Sequence, residues 1–420
     1  MSSSTSSRPG SGTAEPLRLR ERIFFRHFFD GLAIGGALAE WGVACWLLGP
    51  LPVAFHAVVP GVLAVVNRLA ARPLENEPAN GPLAGPAGRA ILAVAFAALV
   101  GAGALVALAS AWGLAALLVG FSAEASMHAA LATRAGFGPS FRVLGCAALG
   151  VVGAAVTYGY VWGHRRLVIT HAVVPLPYLP PALAGLRVVH VTDLHLGPLA
   201  DRAALREALD RVLALDPDVV CVTGDVVDSP AADLDSWIPE LARLTARHGV
   251  FAILGNHDRE VGADRVADAL RRWTGWRVLR DEIGTVELGG ARLHLLGLED
   301  RARRRAADGL PALLSRVPAG EPAILLAHRP TVFPAAAAAG VSLMLAGHTH
   351  GGQLAVPGAP RLNVARVLVT EFDAGFFERD GARLHVNRGL GTSGQRIRIG
   401  APREITLLTL VASLSSRTAA

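Results

Sequence analysis

The sequence predicts an α/β domain of two packed sheets, preceded by a multi-span helical membrane domain. Three observations predict it. Residues 24–164 are almost entirely apolar, whereas residues 165–412 have the mixed composition of a soluble domain. In that second part, short β-branched runs alternate first with helical spacing and then with further short strands, which fits a sandwich-like arrangement better than one doubly wound sheet. Five of those runs end directly in Asp, His or Asn, so their carboxyl ends would gather polar side chains along one edge.

The 420-residue chain is 52% hydrophobic and 18% charged, where soluble domains carry about a quarter charged residues. Mean hydropathy is +0.41 and the isoelectric point is near 10.1. The net charge of +6 is carried by arginine. Beside apolar spans, that excess fits an anionic membrane surface. No stretch interleaves aromatic and basic residues as a nucleic-acid groove does, so no nucleic-acid partner is expected. Cys45, Cys146 and Cys221 have neither metal spacing nor a disulfide framework and read as buried small hydrophobes.

Residues 1–23 read as a disordered basic tail, rich in Ser, Gly and Pro and then in arginine. No small-residue cleavage site follows the first apolar run, so it reads as an uncleaved anchor. The expected spans are Leu32–Leu48, Pro52–Val66, the uncharged stretch Ala90–Ala123, and Val143–Gly163. The first two fall short of the roughly 20 residues a bilayer needs. The third is too long for one upright helix at about 1.5 Å per residue, so it tilts or breaks near Ser110–Gly113. Four spans place Arg68, Arg72, Arg89, Arg165 and Arg166 on the cytoplasmic side, and with them residues 165–412; five would export that domain. The four-span reading is preferred, in a bacterial inner or plasma membrane. Glu40 has no second intramembrane charge to join it, so it reads as paired with a neighbouring helix or protonated. His56 and His128 read as polar residues inside or beside the bundle.

The second domain begins with an edge strand, Leu167–Val174, closed by Pro175 and Pro177. Leu186–Thr192 is a buried strand ending in Asp193-Leu194-His195. Asp201 is a candidate N-cap for a helix over Ala203–Leu215. Val219–Thr223 ends in Gly224-Asp225, with Asp228 three positions on, and a helix follows from Asp233 to Arg247. Val250–Leu254 ends in Gly255-Asn256-His257-Asp258. After a further helix come strands near Val278, Thr285–Leu288 and Leu293–Leu296. Ala323–Ala327 ends in His328, and Val341–Leu345 leads to Gly347-His348-Thr349-His350. One D-x-H is a weak signal; five polar strand ends in register are a strong one.

Asp193, His195, Asp225, Asn256, His328, His348 and His350 offer seven oxygen and nitrogen donors and no thiolate. That is more than one cation takes. It suits two, with Asp225 on a central strand as the shared carboxylate. His348 and His350 lie on a Gly-flanked loop, where each can serve a different cation. Two ions about 3.5–4 Å apart can clamp the attacking and leaving oxygens of an in-line displacement and lower the pKa of a bridging water. Imidazole with carboxylate and amide favours Mn, Fe, Co, Ni or Zn over calcium.

Asp193-x-His195, Gly224-Asp225-x-x-Asp228, Gly255-Asn256-His257-Asp258, His328 and Gly347-His348-Thr349-His350 occur in the order found in the calcineurin-like metallophosphoesterase superfamily, which residues 186 to about 410 resemble. The resemblance implies that Asp193, His195, Asp225 and His350 hold one metal, and Asp225, Asn256, His328 and His348 the other. It also implies a catalytic His257 that contacts the phosphate and protonates the leaving group, oriented by Asp258. His257 as a further ligand or a turn residue is the alternative. Gly351-Gly352-Gln353, Arg388–Gly394 and Pro402-Arg403-Glu404 look like the membrane-anchored branch similar to UDP-2,3-diacylglucosamine pyrophosphatase. A membrane-anchored hydrolase of a phosphodiester or pyrophosphate bond is therefore expected, acting through metal-activated hydroxide on a lipid-linked or nucleotide-sugar substrate beside membrane lipids. Residues 413–420 form a tail. Arg329 stands where that branch leads one to expect Asn, a change that bears on substrate contact. Arg388, Arg396 and Arg398 are candidates for substrate phosphate. Arg301, Arg303, Arg304 and Arg305 either meet an anionic partner or form a solvated loop. The competing reading is a non-catalytic membrane protein with a structural metal site, but no ligand of the set has been lost. A transporter is weaker still, for want of paired intramembrane charges and inverted repeats.

Overall fold

The computed structural model describes residues 127–230, 232–301 and 305–413, and in the N-terminal half residues 27, 30, 31, 33–45, 52–71, 98, 100–103 and 105. The chain divides into two compact units, Met1–Ala154 and Ala155–Ala420.

In the first unit, α1 covers Ala33–Cys45 and α2 covers Val53–Ala71. Helix α3, Met127–Val161, runs past the unit boundary. Apolar side chains such as Val58, Val62 and Val65 are exposed. The polar groups pair between α1 and α2: Asn67 Nδ2 donates to Glu40 Oε2 at 3.2 Å, and Trp41 Nε1 to His56 Nδ1 at 3.1 Å. Glu40 thus meets a neighbouring helix, as expected of it. Among the described residues one helix, Val143–Arg165, is long and apolar enough to cross a membrane; Ala33–Cys45 and Val58–Arg68 are shorter apolar helices. Most of the expected Ala90–Ala123 span, all of the N-terminal tail and residues 414–420 lie outside the described residues. Of the three cysteines only Cys221 is buried; Cys146 is exposed and Cys45 half-buried, which corrects the expectation that all three would be core residues.

The second unit holds two six-stranded sheets; the two-sheet layout matches the expectation, whereas three of the strands, all after residue 370, were not foreseen. The first contains β1 (Leu167–Leu176), β2 (Arg187–Val191), β3 (Val219–Thr223), β4 (Val250–Ile253), β5 (Arg277–Val278) and β14 (Arg403–Ala412), in the order β1-β14-β2-β3-β4-β5. The second contains β6 (Glu282–Leu288), β7 (Ala291–Gly297), β8 (Ala323–Leu326), β9 (Leu343–Ala346), β12 (Gly375–Arg379) and β13 (Ala382–Val386), in the order β12-β13-β9-β8-β7-β6. Strands β10 (Ala355–Val356) and β11 (Ala359–Asn363) form a separate two-stranded ribbon.

Alternation along each strand divides the interior into three apolar layers. Val188, Val219, Cys221, Phe251 and Ile253 meet Leu293, Leu295, Ile324, Leu326 and Leu343 between the sheets. Val189, Val191, Val220, Val222 and Ala252 face outward to α4 (Arg202–Ala214) and α6 (Asn256–Thr274). Leu296, Leu325, Met344 and Leu384 face α7 (Leu310–Leu314) and α8 (Phe333–Ala338) on the far side. Strands β2, β3, β4, β8 and β9 are buried on both faces, which is why they read as continuous apolar runs.

Asp201 caps α4 as expected, accepting from the Ala203 and Ala204 N–H groups. The expected helix from Asp233 to Arg247 is shorter. It comprises α5 (Leu234–Trp237) and a 3-10 turn over Ile238–Arg243, because Pro239 has no N–H for the α-helical ladder. Strand β1 continues through Pro175 to Leu176, which an edge strand tolerates. A last short helix, α9, covers Val364–Leu368.

Candidate metal centre

Strands β2, β3, β4, β8 and β9 end at one rim, and the donor residues follow them directly: Asp193 and His195, Asp225, Asn256, His328, then His348 and His350. The chain must turn sharply there while aiming side chains inward. Asp193, His195, Asp225, His348 and His350 all adopt left-handed backbone, with φ of 50°, 46°, 50°, 73° and 53°. Each such residue costs on the order of 1–3 kcal/mol and persists only where the surroundings enforce it. Backbone bonds enforce it here: Asp193 N–H donates to Gly224 O at 2.9 Å and His195 N–H to Asp225 O at 3.0 Å. The rim is also tight. A Cβ on Gly255 would sit 2.2 Å from Asp225 Oδ1, so only glycine lets the two loops approach.

The donors separate into groups whose candidate ligand atoms lie within 4.8 Å of one another: Asp193, His195 and His350; Asp225, His328 and His348; and His195, Asp225 and His257. The two histidines of Gly347-His348-Thr349-His350 therefore join different groups. Asp225 connects them, its Oδ2 being 3.1 Å from His328 Nε2 and 3.8 Å from His195 Nε2. Ring nitrogens converge closely, His195 Nε2 on His350 Nε2 at 3.0 Å and His348 Nδ1 on His328 Nε2 at 3.2 Å. Asn256 Oδ1 is buried without a hydrogen-bond partner. A buried amide oxygen left unpaired is costly. It fits a position that awaits a cation, and the donor set as a whole suits borderline divalent metals.

Outer partners fix two of the rings. His328 Nδ1 donates to Thr223 O at 2.8 Å, which turns Nε2 toward Asp225 and the cluster. His195 Nδ1 lies 3.0 Å from Asp228 Oδ1. Burial opposes the charge of Asp193, yet His350, His195 and His328 outweigh it and hold the carboxyl well below its usual range. Burial likewise opposes Asp225, and His328, His257 and His195 reverse the balance. Burial disfavours the His195 imidazolium, but Asp193, Asp228 and Asp225 raise it to about 10; His328 rises to about 9 against its burial, chiefly through Asp225. His350 is pushed down to about 3 by burial, and His348 is lowered by burial, His328 and Arg329.

His257 comes to the same rim, its ring centroid 4.6 Å from that of His195. Its Nδ1 donates to the Asp228 carbonyl at 2.6 Å, so Nε2 is the nitrogen left available. The expectation that Asp258 orients this ring is corrected. Asp258 accepts from the N–H groups of Gly255, Val226 and Val227 at 2.9, 3.2 and 2.9 Å, pinning the start of α6 to the loop after β3. Residues 257 and 258 are adjacent in a helix's first turn, where neighbouring side chains point apart. Asp228 holds His195 and His257 instead. Its signal was present as the second Asp of Gly224-Asp225-x-x-Asp228, but without a role attached.

The arginines expected to meet substrate phosphate are engaged otherwise. Arg388 pairs with Glu404 at 2.9 Å and Arg396 with Asp201 at 2.7 Å. Arg398 is 1% exposed and donates to the carbonyls of Arg388, Gly391 and Ala401, with Nη2 3.2 Å from His350 Nδ1. It supports the loop that carries His350. Gln353 holds that loop too, bonding Ser393 and Gln395. The end of α3 packs on the same segment: Tyr160 Oη donates to Gln395 Oε1 at 2.7 Å, and a Cβ on Gly163 would lie 2.0 Å from Arg398 O. Arg301 pairs with Asp281 and Arg305 with Asp308, so both are surface ion pairs; Arg303 and Arg304 lie outside the described residues.

Residues 186–352 match the family described as Calcineurin-like phosphoesterase. An uncharacterized metallophosphoesterase of Aquifex aeolicus is 35% identical over 237 residues, which is 55% of this chain and 87% of that protein. An uncharacterized metallophosphoesterase of Campylobacter jejuni is 30% identical over 236 residues, 55% of this chain and 61% of that protein. A Bos taurus protein named transmembrane protein with metallophosphoesterase domain is 31% identical over 259 residues, 58% of this chain and 57% of that protein. The chain thus spans little more than half of the last two. With nearly the whole Aquifex protein covered and the donor-bearing strand ends inside the match, the chain belongs to the calcineurin-like metallophosphoesterase family and is a phosphoester hydrolase.

Proposed function

We propose that this is a membrane-anchored phosphoesterase that hydrolyses a phosphodiester or pyrophosphate bond with two divalent ions, Mn, Fe or Zn being the best matches to its donors. One observation carries the reading: the donors from five strand ends form two Asp/His groups that meet at Asp225, beside an unpartnered Asn256 oxygen. Asp193, His195, Asp225 and His350 would hold one ion, and Asp225, Asn256, His328 and His348 the other. When bound, the pair supplies Lewis-acid charge to the phosphoryl oxygens and activates water.

The protein's own groups do the rest. The rigid strand ends and enforced turns position the donors, so little reorganisation accompanies the reaction. His257, oriented through Nδ1 by the Asp228 carbonyl, presents Nε2 to the phosphate and donates a proton to the leaving oxygen. The apolar helix Val143–Arg165, packed by its last turns against the loop of Arg398, supports anchoring next to a bilayer and a lipid-linked or nucleotide-sugar substrate. A multi-span N-terminal domain with the hydrolase on the cytoplasmic side is part of this reading.

A second reading of His257 has a specific observation in its favour, its grouping with His195 and Asp225. One variant separates the two. With purified full-length protein, Mn²⁺ and bis-p-nitrophenyl phosphate, His257→Ala is expected to keep its metal and lose about 10²–10⁴-fold in kcat. Loss of metal in that variant would make His257 a ligand. No turnover by the wild type with any divalent metal would remove the enzyme reading.

A further inference from the structure

Arg329 lies at the edge of the donor cluster, with its side chain 16% exposed. Its Nη1 is 3.5 Å from His348 Nε2. The other nitrogen of that ring, Nδ1, points into the cluster, 3.2 Å from His328 Nε2. A neutral imidazole that offers Nδ1 to a cation keeps its proton on Nε2. The guanidinium and that N–H are then two donors facing each other across a gap, an arrangement completed by an anionic oxygen that accepts from both.

The charge balance agrees. Asp300 is buried and accepts from Arg329 Nε at 2.7 Å, while Arg259 Nη1 lies 3.5 Å from its other oxygen. Two guanidiniums share one carboxylate, so the Arg259–Asp300–Arg329 trio carries one net positive charge. Asp300 also fixes the Arg329 fork, so little side-chain entropy is lost when it takes a ligand. The arginines at 301, 388, 396 and 398 are committed to other partners.

We propose that Arg329 is a specificity-determining residue that binds a second phosphoryl group of the substrate, one imidazole ring beyond the group held at the donor cluster. The preferred substrate is then a diester of diphosphate rather than of a single phosphate. This rests on the phosphoesterase reading above and narrows it. Asparagine at 329 would offer an amide but no charge, so the selectivity belongs to the guanidinium.

The test is calorimetric titration of full-length, detergent-solubilised, Mn²⁺-saturated protein with inorganic phosphate and with inorganic pyrophosphate. The wild type is expected to bind pyrophosphate at least about tenfold more tightly than phosphate, the size of a charge-assisted contact. Arg329→Asn is expected to keep its bound metal and bring the two affinities to within about threefold, with Arg329→Lys between. Chelation in free solution is the same for every variant and cancels in the comparison. Arg329→Gln gives the same readout should Arg329→Asn not fold. Equal binding of both anions by the wild type, a preference that survives in Arg329→Asn, or loss of metal in that variant would each overturn the proposal. Turnover of bis-p-nitrophenyl phosphate by the wild type, followed in parallel, reads the parent claim separately. A binding preference without turnover would leave the Arg329 site standing and remove the hydrolase.

Discussion

Asp193, His195, Asp225, His348 and His350 accept left-handed backbone to bring their donors inward. Their residue types and their places after apolar runs were legible in the sequence. What each side chain does with its second polar atom was not, because that depends on partners far away in the chain. Asp228 and Asp258 show the difference: both were visible as acids beside the site, yet one holds two histidines and the other holds only backbone N–H groups. Arg398 is a second case, a buried cation that a linear reading would place in solvent or on substrate. The raised pKa values of His195, to about 10, and His328, to about 9, have a consequence at this scale. Both rings carry protons at neutral pH, and an entering ion displaces them. Metal affinity should therefore rise with pH, by about tenfold per pH unit for each displaced proton, until pH reaches those values. Mn²⁺ dissociation constants at pH 6, 7 and 8 check this, and a flat profile would count against it.

At the level of elements, β2, β3, β4, β8 and β9 were read well because their residues are almost all buried and a polar donor follows each; β12, β13 and β14, which carry no such donor, were not read. Pro239 broke an expected helix and Pro175 failed to end an expected strand. The same residue type gives opposite outcomes in a helical ladder and on a sheet edge. The contact of the α3 end with the loop of Arg398 joins residues 235 positions apart, where Gly163 leaves room because it has no Cβ. Helix α6 carries Asn256 and His257 on its first turn, and Asp258 ties that turn to the loop of Asp225 through three N–H groups. Asp258→Ala would strand those donors. A loss of about 1–3 kcal/mol is expected, read as a lowered urea midpoint, together with weaker metal binding because Asn256 loses its fixed position. Unchanged stability would show that the clamp does not hold the turn.

The whole molecule joins an apolar N-terminal half to a two-sheet hydrolase. The composition shift near residue 164 was plain in the sequence, and the unit boundary falls nearby, after Ala154. Sheet order was less legible, since β14 inserts between β1 and β2 from the far end of the chain and periodicity carries no pairing information. The proposed four-span reading puts the hydrolase on the cytoplasmic side. A phosphatase reporter that works only after export, fused after residue 420, should stay inactive; activity would place the domain outside.

The account depends most on Asp225 as the shared carboxylate of a metal pair. Elemental analysis of full-length protein, purified with Mn²⁺ and freed of excess, tests it directly. The wild type should contain two divalent ions per chain and Asp225→Ala none, or one held weakly. A wild type with a single ion, or an Asp225→Ala variant that still holds two, would contradict it.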